Sequence, residues 1–515
     1  MPLEPSHRRS SPFALRTAAS FLRKNILAAV LISALLVVPC FWHSRIQAGD
    51  LGSHVYNSWL AQLIEHHQIS GLTIARLWSN ILFDLLLLHT ANLVGFVAAE
   101  KIVVSFAVLV FFWGCFSFLA AASGNPPWKL APFLLLLAYG YAFSMGFMNY
   151  YLSIGFAFLA LAVAWRGGAG NWLSAAAISA ISLLAHPIGF VLFVTSAAYL
   201  SLWQRWSRRT RLTLPTIAII SVAAMTFYFA AHKALEASWR STGFFHLLGQ
   251  DQLDLFGHRY VVLSWVVLTW GIIIALAAIY DWIFRGKPPS VALRFAVELY
   301  VVAVIATLCL PENFRVGLYA GWIGLLVSRL TLVTAIFGLL VLASLRLPRW
   351  SVYGNVLCAL VFFLFLYRDT GKVDRMEANA RTVVESLPVG TRTVAVANPP
   401  DDWRIEFIYH SIERACIGRC FSFANYESSS LQFRIRALAG NYFVTTSVDQ
   451  SDDMSSGDYI VKTEDLPLTA IYQCNGADFT QLCALPLRAG QKTEDPESEP
   501  NLQPDPVVGE QPSED

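Results

Sequence analysis

Apolar runs and short polar breaks alternate along residues 1–370, while residues 371–515 mix polar and apolar positions as a water-soluble chain does. Apolar stretches fall near 26–42, 80–98, 102–122, 130–146, 151–165, 172–185, 188–203, 212–231, 261–284, 291–310, 328–345 and 351–367. Runs of this length predict membrane-spanning helices. Beyond them, strand-like runs (RTVAVANP, YFVTTSV, DYIVKT) accompany a helical one (VDRMEANARTVVESL), which predicts a small α/β domain over 371–486. Residues 487–515 are acidic and proline-rich and predict a disordered tail. No internal repeat is evident.

Charge reduces the number of crossings. His7, Arg8, Arg9, Arg16, Arg23 and Lys24 precede the first run, which places the N-terminus (1–25) in the cytoplasm. That run has no A-x-A-like cleavage site after it and reads as a retained span rather than a signal peptide. If every stretch crossed, RWSRRTR (205–211) and RLPRW (346–350) would lie outside, against the positive-inside rule. Removing the stretch 79–101, which holds Asp84, His89, Asn92 and Glu100, repairs both. Charges in a span cost several kcal/mol unless paired, so this stretch reads as a surface helix. The expected fold class is then mainly α: a polytopic bundle of about eleven transmembrane helices over 26–370. Surface helices fill its first outer loop (43–101), and a small extracytoplasmic α/β domain follows it. The location implied is the cytoplasmic (inner) membrane, with the C-terminal domain outside.

Composition agrees. The chain of 515 residues is 56% hydrophobic and 14% charged, against about a quarter charged in soluble domains. A net charge of +2 leaves no footprint for nucleic acid. Cys416, Cys420, Cys474 and Cys483 lie in the soluble part and read as two disulfides of an oxidising compartment. Zinc is the alternative, although C-x3-C and C-x8-C are not common zinc spacings. Cys40, Cys115, Cys309 and Cys358 lie in apolar runs and read as core residues.

The first cluster of ionisable groups lies in QAGDLGSHVYNSWLAQLIEHHQ, residues 47–68. Val55, Tyr56, Trp59, Leu60, Leu63 and Ile64 form one apolar helical face, and Asp50 and His54 fall on another as i, i+4 neighbours. The helix 53–68 is expected on the outer membrane surface with Trp59 in the interface. Asp50 reads either as a helix cap after Gly49 or as a reactive carboxylate. His66 and His67 suit a helix end. Metal binding by Asp50, His54 and His66 stays open, as does any divalent ion as cofactor. Further polar groups fall on the same expected side: Asn149, Tyr150, Tyr151, His186, Arg240, Asp251, Asp254, His258, Arg259, Glu312, Asn313, Arg315 and Arg329. Polar residues at membrane depth usually line a cavity.

This order of parts resembles the GT-C superfamily of membrane glycosyltransferases. A basic N-terminus leads into span one, an aspartate follows at once in GDLGSHVYNSWLAQL, and two surface helices (53–68 and 80–98), many spans and an outer domain come after. The resemblance covers the layout of 1–370. It implies transfer of a sugar from a polyprenyl-phosphate donor to an acceptor glycan, lipid or protein at the outer face of the bilayer. It also implies a general-base role for Asp50, with His54 beside it. An inverting transfer needs a carboxylate to take the hydroxyl proton and cations to stabilise the leaving phosphate. Arg315, Arg329, His258 and Arg259 are the cations available for that, with His186 and Asn149 as further substrate contacts. Members often carry a second acid in the next outer loop. Here that loop reads GFMNYYLS, and Asp84, Glu100 or Glu312 would have to substitute.

Two rivals remain. A transporter or flippase for a lipid-linked precursor would use charged or broken helices, and Arg294 and Glu298, i, i+4 in one span, are its best sign. A non-enzymatic membrane protein would place its working surface on a partner- or glycan-binding outer domain, 371–486.

Overall fold

The computed structural model describes residues 13–203, 208–232, 235–240, 247–286, 288–290, 292–316, 323–397, 400, 402–405, 407–430, 432–474 and 478–493. His7, Arg8 and Arg9, part of RWSRRTR and the tail from 494 lie outside these residues. The chain is mainly helical. In order, the helices are α1 (Phe13–Val37), α2 (Leu51–Glu65), α3 (Leu82–Val94), α4 (Phe96–Ser123), α5 (Ala131–Ala138), α6 (Tyr141–Ser144), α7 (Met148–Ala164), α8 (Ala169–Ala185), α9 (Pro187–Trp203), α10 (Arg208–Ala231), α11 (His258–Arg285), α12 (Leu293–Cys309), α13 (Leu326–Ser344), α14 (Ser351–Ser386), α15 (Ile408–Ala415), α16 (Tyr426–Ser429) and α17 (Val448–Ser456). The strands are β1 (Leu72–Ile74), β2 (Leu235–Ser238), β3 (Asn313–Val316), β4 (Thr391–Val396), β5 (Cys420–Ser422), β6 (Ile435–Ala437), β7 (Thr469–Gln473) and β8 (Leu482–Pro486).

The chain divides into two compact units. The first comprises Met1–Leu51, Arg76–Asp374 and Asp401–Glu406. Among the described residues four helices are long and apolar enough to cross a bilayer: α4, α11, α13 and α14, the last running on past Asp374. Shorter apolar helices accompany them, among them α3, α7 and α8. α4 and α7 pack along each other through stacked rings of Phe111 and Tyr151, with centroids 4.3 Å apart. α11 exposes Val262, Val266, Ile273, Leu276 and Ile283, and α14 exposes Tyr353, Leu357, Leu360 and Leu364. Contiguous apolar faces of this kind fit lipid rather than water.

Two apolar stretches depart from continuous helices. Within the stretch 80–98 a separate helix, α3, covers Leu82–Val94; Gly95 divides it from α4, which takes the last residues of the stretch. Residues 130–146, expected as one span, break instead into α5 and α6. The break falls at Tyr139–Gly140, where a helical turn at Gln250–Leu253 comes against the chain. A Cβ at residue 140 would lie 2.6 Å from the Gln252 carbonyl oxygen. Non-helical backbone among apolar helices is tolerated where protein or a polar cavity meets its hydrogen bonds. Here the Gln252 side chain accepts from the Ala142 N–H, 3.4 Å.

The second unit comprises Gly52–Ala75, Arg375–Pro400 and the chain from Phe407. Its sheet runs β5-β4-β7-β8, with β4 parallel to both β5 and β7 and β8 antiparallel to β7. Val394, Met454, Val461, Leu468, Ala470 and Leu487 form the core beneath it. Leu487 is therefore buried, and Lys492 bridges to Ile460, so ordered chain continues beyond the expected domain end at 486. Cys416 is bonded to Cys420 and Cys474 to Cys483.

The sequence reading placed the helix after Asp50 on the membrane surface. In the structure it is part of this second unit, and it ends at Glu65. Trp59, expected in the lipid interface, is 8% exposed and stacks on Phe421. The buried Tyr56 hydroxyl accepts from the Ser422 N–H, 2.9 Å. Ser53 donates to Glu427, 2.9 Å, and Asn425 donates to Asn57, 2.8 Å. β1 pairs antiparallel with β6. The close approach needs a glycine: a Cβ on Gly52 would sit 2.0 Å from the His410 carbonyl oxygen.

Glu377 and Arg414 form a deeply buried ion pair in this unit, both 1% exposed, with Nη2 donating to Oε2 at 2.5 Å and Nε to Oε1 at 3.0 Å. Removing one partner strands a charge in low dielectric, at a cost of about 3–5 kcal/mol. Glu377→Ala is expected to lower the melting temperature of the full chain by several degrees. Glu464→Ala, which removes only the exposed Lys462–Glu464 pair, is expected to leave it unchanged. Equal melting temperatures for the two variants would refute this.

Candidate functional site

The site begins with how the chain holds Asp50. Glu100, fully buried on α4, accepts from the Ile46 N–H (2.9 Å) and from Arg45 (3.2 Å), which fixes the turn after α1. The Gly49 N–H then donates to the Ser144 carbonyl at 2.7 Å, and the Asp50 N–H to the Met145 carbonyl at 2.9 Å. These carbonyls end the short helix α6. Gly146 follows with φ +78°, and a Cβ there would lie 2.5 Å from the Asp50 nitrogen. Only glycine permits both the dihedral and the approach. Asp50 is half-buried just before α2.

Arg329 lies in the first turn of α13. Its Nη1 donates to the Gly324 carbonyl at 2.6 Å, and its guanidinium stacks over Phe147 at 4.2 Å. Tyr150 on α7 donates to the Arg329 carbonyl, 2.6 Å. The charges of Asp50 and Glu312 and the hydroxyls of Tyr150 and Tyr141 all act on this guanidinium. Its Nε is buried and has no hydrogen-bond partner among the described residues.

A second polar group adjoins it through Tyr141 and Glu312. Glu312 accepts from the Ser328 hydroxyl (2.6 Å) and N–H (3.2 Å). Asp251 Oδ2 accepts from Thr331 (3.0 Å), Arg240 (3.3 Å) and Arg404 (3.4 Å). Arg404 also donates to the Asp251 carbonyl, 2.6 Å, and lies 3.8 Å over the Tyr141 ring. Gln252 donates to Thr331, 2.8 Å, and orients it. Three carboxylates (Asp50, Asp251, Glu312) thus gather with three guanidiniums (Arg240, Arg329, Arg404) around α6 and the start of α13. Burial close to matching charge is what lets ionised groups persist among apolar helices.

His186, in the turn between α8 and α9, belongs to the same neighbourhood. Its ring meets Tyr150 edge-on, centroids 5.8 Å apart, and its Nδ1 accepts from the Ile188 N–H at 3.2 Å. Burial first, and then the Arg329 charge, pull its imidazole down from the ordinary 6.5 to about 3. It is neutral at physiological pH.

The remaining sequence candidates are placed elsewhere or do other work. Asn149 accepts from the Phe83 N–H (2.8 Å) and donates to Asp84 (2.8 Å), tying the start of α3 to α7. Glu100 positions the Asp50 loop. Arg259 is held by Asp369, which also accepts from Tyr260 at 3.0 Å, so its charge is engaged in an ion pair. His258 is exposed, and Arg315 is exposed on β3 opposite Glu236. His54 is buried on α2 in the second unit, where the four disulfide cysteines also lie. Among the described residues no group of three His, Cys, Asp or Glu side chains assembles as a metal site. An apolar groove on α11, along Trp265, Thr269 and Trp270, contains none of the polar cluster.

Sequence reasoning saw Arg240 and Asp251 as loop charges without assigning them a role. It missed Tyr141, Gln252, Ser328 and Thr331, which sit in apolar or mixed runs. It also missed Arg404, whose surroundings, PPDDWRIEF, read as soluble chain. No protein-family model, curated protein or solved structure matches the chain.

Two outcomes follow. Gly146→Ala is expected to destabilise more than Gly167→Ala, which shares positive φ but has open space around it. The dihedral costs each about 1–2 kcal/mol, and the clash with Asp50 adds about 1–3 kcal/mol to the first alone. Equal melting temperatures would contradict the backbone clamp. For His186 the folded pKa lies below the unfolded one. As pH falls below 6.5 the unfolded chain takes up a proton that the folded chain refuses, so stability drops toward about pH 3. His186→Gln is expected to flatten the fall in melting temperature between pH 6.5 and 4.5; an unchanged slope would count against it.

Proposed function

We propose that the chain is a membrane glycosyltransferase of GT-C type, moving a sugar from a polyprenyl-phosphate donor to an acceptor glycan, lipid or protein. The observation that carries this reading is the placement of Asp50. Two backbone hydrogen bonds and a glycine hold it within electrostatic reach of the Arg329 guanidinium, in the unit that carries the long apolar helices. A carboxylate within electrostatic reach of a guanidinium, in a unit with long apolar helices, suits both ends of a displacement on a lipid-linked sugar. Asp50 accepts the acceptor hydroxyl proton as its oxygen bonds to the anomeric carbon. The bond from that carbon to the phosphate oxygen breaks, its electron pair leaves with the lipid phosphate, and Arg329 stabilises the anion. Neutral His186 and the Tyr150 hydroxyl line the same place without adding charge.

On this reading the chain lies in the cytoplasmic membrane, the basic N-terminus inside. The segment 130–146 then stands among the eleven crossings as an interrupted one. The disulfide-bearing part lies outside, where an oxidising compartment keeps Cys416–Cys420 and Cys474–Cys483 closed. The flippase alternative draws on the interrupted helix α5–α6, since broken helices with polar linings also serve transport. Its other sign, Arg294, is satisfied by Glu298 at 3.1 Å, and Glu298 also accepts from Tyr199 at 2.6 Å.

The test compares a strain lacking the chain with strains restored by the natural sequence or by Asp50→Asn at matched protein level. Surface glycans and polyprenyl-phosphate sugars are profiled by mass spectrometry. The expected outcome is loss of one sugar from a glycan, accumulation of its lipid-linked donor, and no restoration by Asp50→Asn. Arg329→Gln is expected to lower turnover by about 10²–10³-fold. Full restoration by Asp50→Asn overturns the enzyme reading and advances the flippase.

A further inference from the structure

The Asp251 cluster is not accounted for by the chemistry just described. Asp251 is 4% exposed, and one of its oxygens is saturated by Thr331, Arg240 and Arg404. Its other oxygen, Oδ1, is buried without a hydrogen-bond partner among the described residues. Leaving a desolvated acceptor unmet costs free energy, and such atoms in folded proteins call for a donor. The carboxylate is also costly to build. The short segment carrying Arg404 is held against Asp251 by a backbone bond from Arg404 N–H to the Leu255 carbonyl, 3.0 Å. It is held further by an edge-on contact of Trp403 with Phe256, centroids 4.9 Å apart. Gln252 and Thr331 orient the same carboxylate from the other side. So much scaffolding around one half-satisfied carboxylate describes a recognition group.

The missing partner can be specified by its chemistry. A carboxylate oxygen needs an O–H or N–H donor and repels a phosphate. Arg329 Nε, in the same network through Tyr141 and Glu312, needs an acceptor instead. A ligand that both donates and accepts across the network is a polyol joined to an anion.

We propose that Asp251, positioned by Arg404, Arg240 and Thr331, is the sugar-recognition residue of this site, accepting a hydrogen bond from a neutral hydroxyl of the glycosyl group. This rests on the glycosyltransferase reading and adds to it. Asp50 and Arg329 serve the reacting bond, and Asp251 reads the sugar. Arg404 acts through Asp251, as a positioning residue: its guanidinium fork holds both the carbonyl and the carboxylate, a geometry lysine does not reproduce.

The experiment measures tryptophan-fluorescence binding by the full chain in nanodiscs. The probes are farnesyl phosphate and farnesyl phosphate carrying glucose, mannose, galactose or arabinose. The natural chain is expected to prefer one glycosylated probe over the bare phosphate by about tenfold or more, the scale of one well-placed buried hydrogen bond. Asp251→Asn is expected to abolish that preference and leave farnesyl phosphate affinity within about threefold. Arg404→Lys, the milder variant should Asp251→Asn fail to fold, is expected to reduce the preference severalfold while the chain stays folded with a melting temperature lowered by a few degrees at most. An undiminished preference in a folded variant, or equal weakening of both probes, overturns the assignment and makes Asp251 a structural ion. Farnesyl phosphate binding without any sugar preference in the natural chain overturns it too, while the phosphate site stands. Binding of neither probe class overturns both readings.

Discussion

Charges among apolar helices persist only when opposite charge or fixed dipoles meet them, and the first unit is arranged around that constraint. Glu100 is met by Arg45 and a backbone N–H, Asp369 by Arg259 and Tyr260, and Glu298 by Arg294 and Tyr199. Each of these sets is closed, and each joins elements that the chain separates. The cluster around α6 differs. Its three carboxylates and three guanidiniums balance in charge, yet Asp251 Oδ1 and Arg329 Nε have no partner among the described residues. That contrast between paired charges and a cluster with unmet valences sets the cluster apart from the other buried ion pairs, and the proposed substrate site rests on it.

The interrupted helix follows from the same constraint. The last carbonyls of a helix have no partner within it, and those of Ser144 and Met145 receive the Gly49 and Asp50 N–H groups. The break at Tyr139–Gly140 redirects the chain there and puts Tyr141 beneath Arg404. The backbone of α6 thereby becomes the fixed point from which the Asp50 loop on one side and the Gln250–Leu253 turn on the other are measured. On the proposed reading this support matters, because misplacement of a reacting group by about an ångström can cost orders of magnitude in rate.

Part of this was legible in the sequence. Helical class, apolar segmentation and the Asp50 loop came from hydropathy and from charge in an apolar setting, which are strong local signals. Arg329 and His186 stood out for the same reason. The burial of α2 did not, because an amphipathic helix with Trp59 on its apolar face has one pattern whether lipid or Phe421 covers it. The role of Arg404 was hidden by its context, since a salt-bridging arginine in polar chain has no periodicity to betray it. The Arg259–Asp369 pair was hidden for the converse reason: Asp369 is more than a hundred residues away, and a free cation and an engaged one read alike.

The most direct measurement of the central claim is a cryo-EM map of the full chain in nanodiscs saturated with farnesyl phosphate. Phosphate density is expected within hydrogen-bonding distance of the Arg329 guanidinium, with the Asp50 carboxylate facing the same space. Phosphate density at Arg315 or Arg259, with none at Arg329, would contradict it.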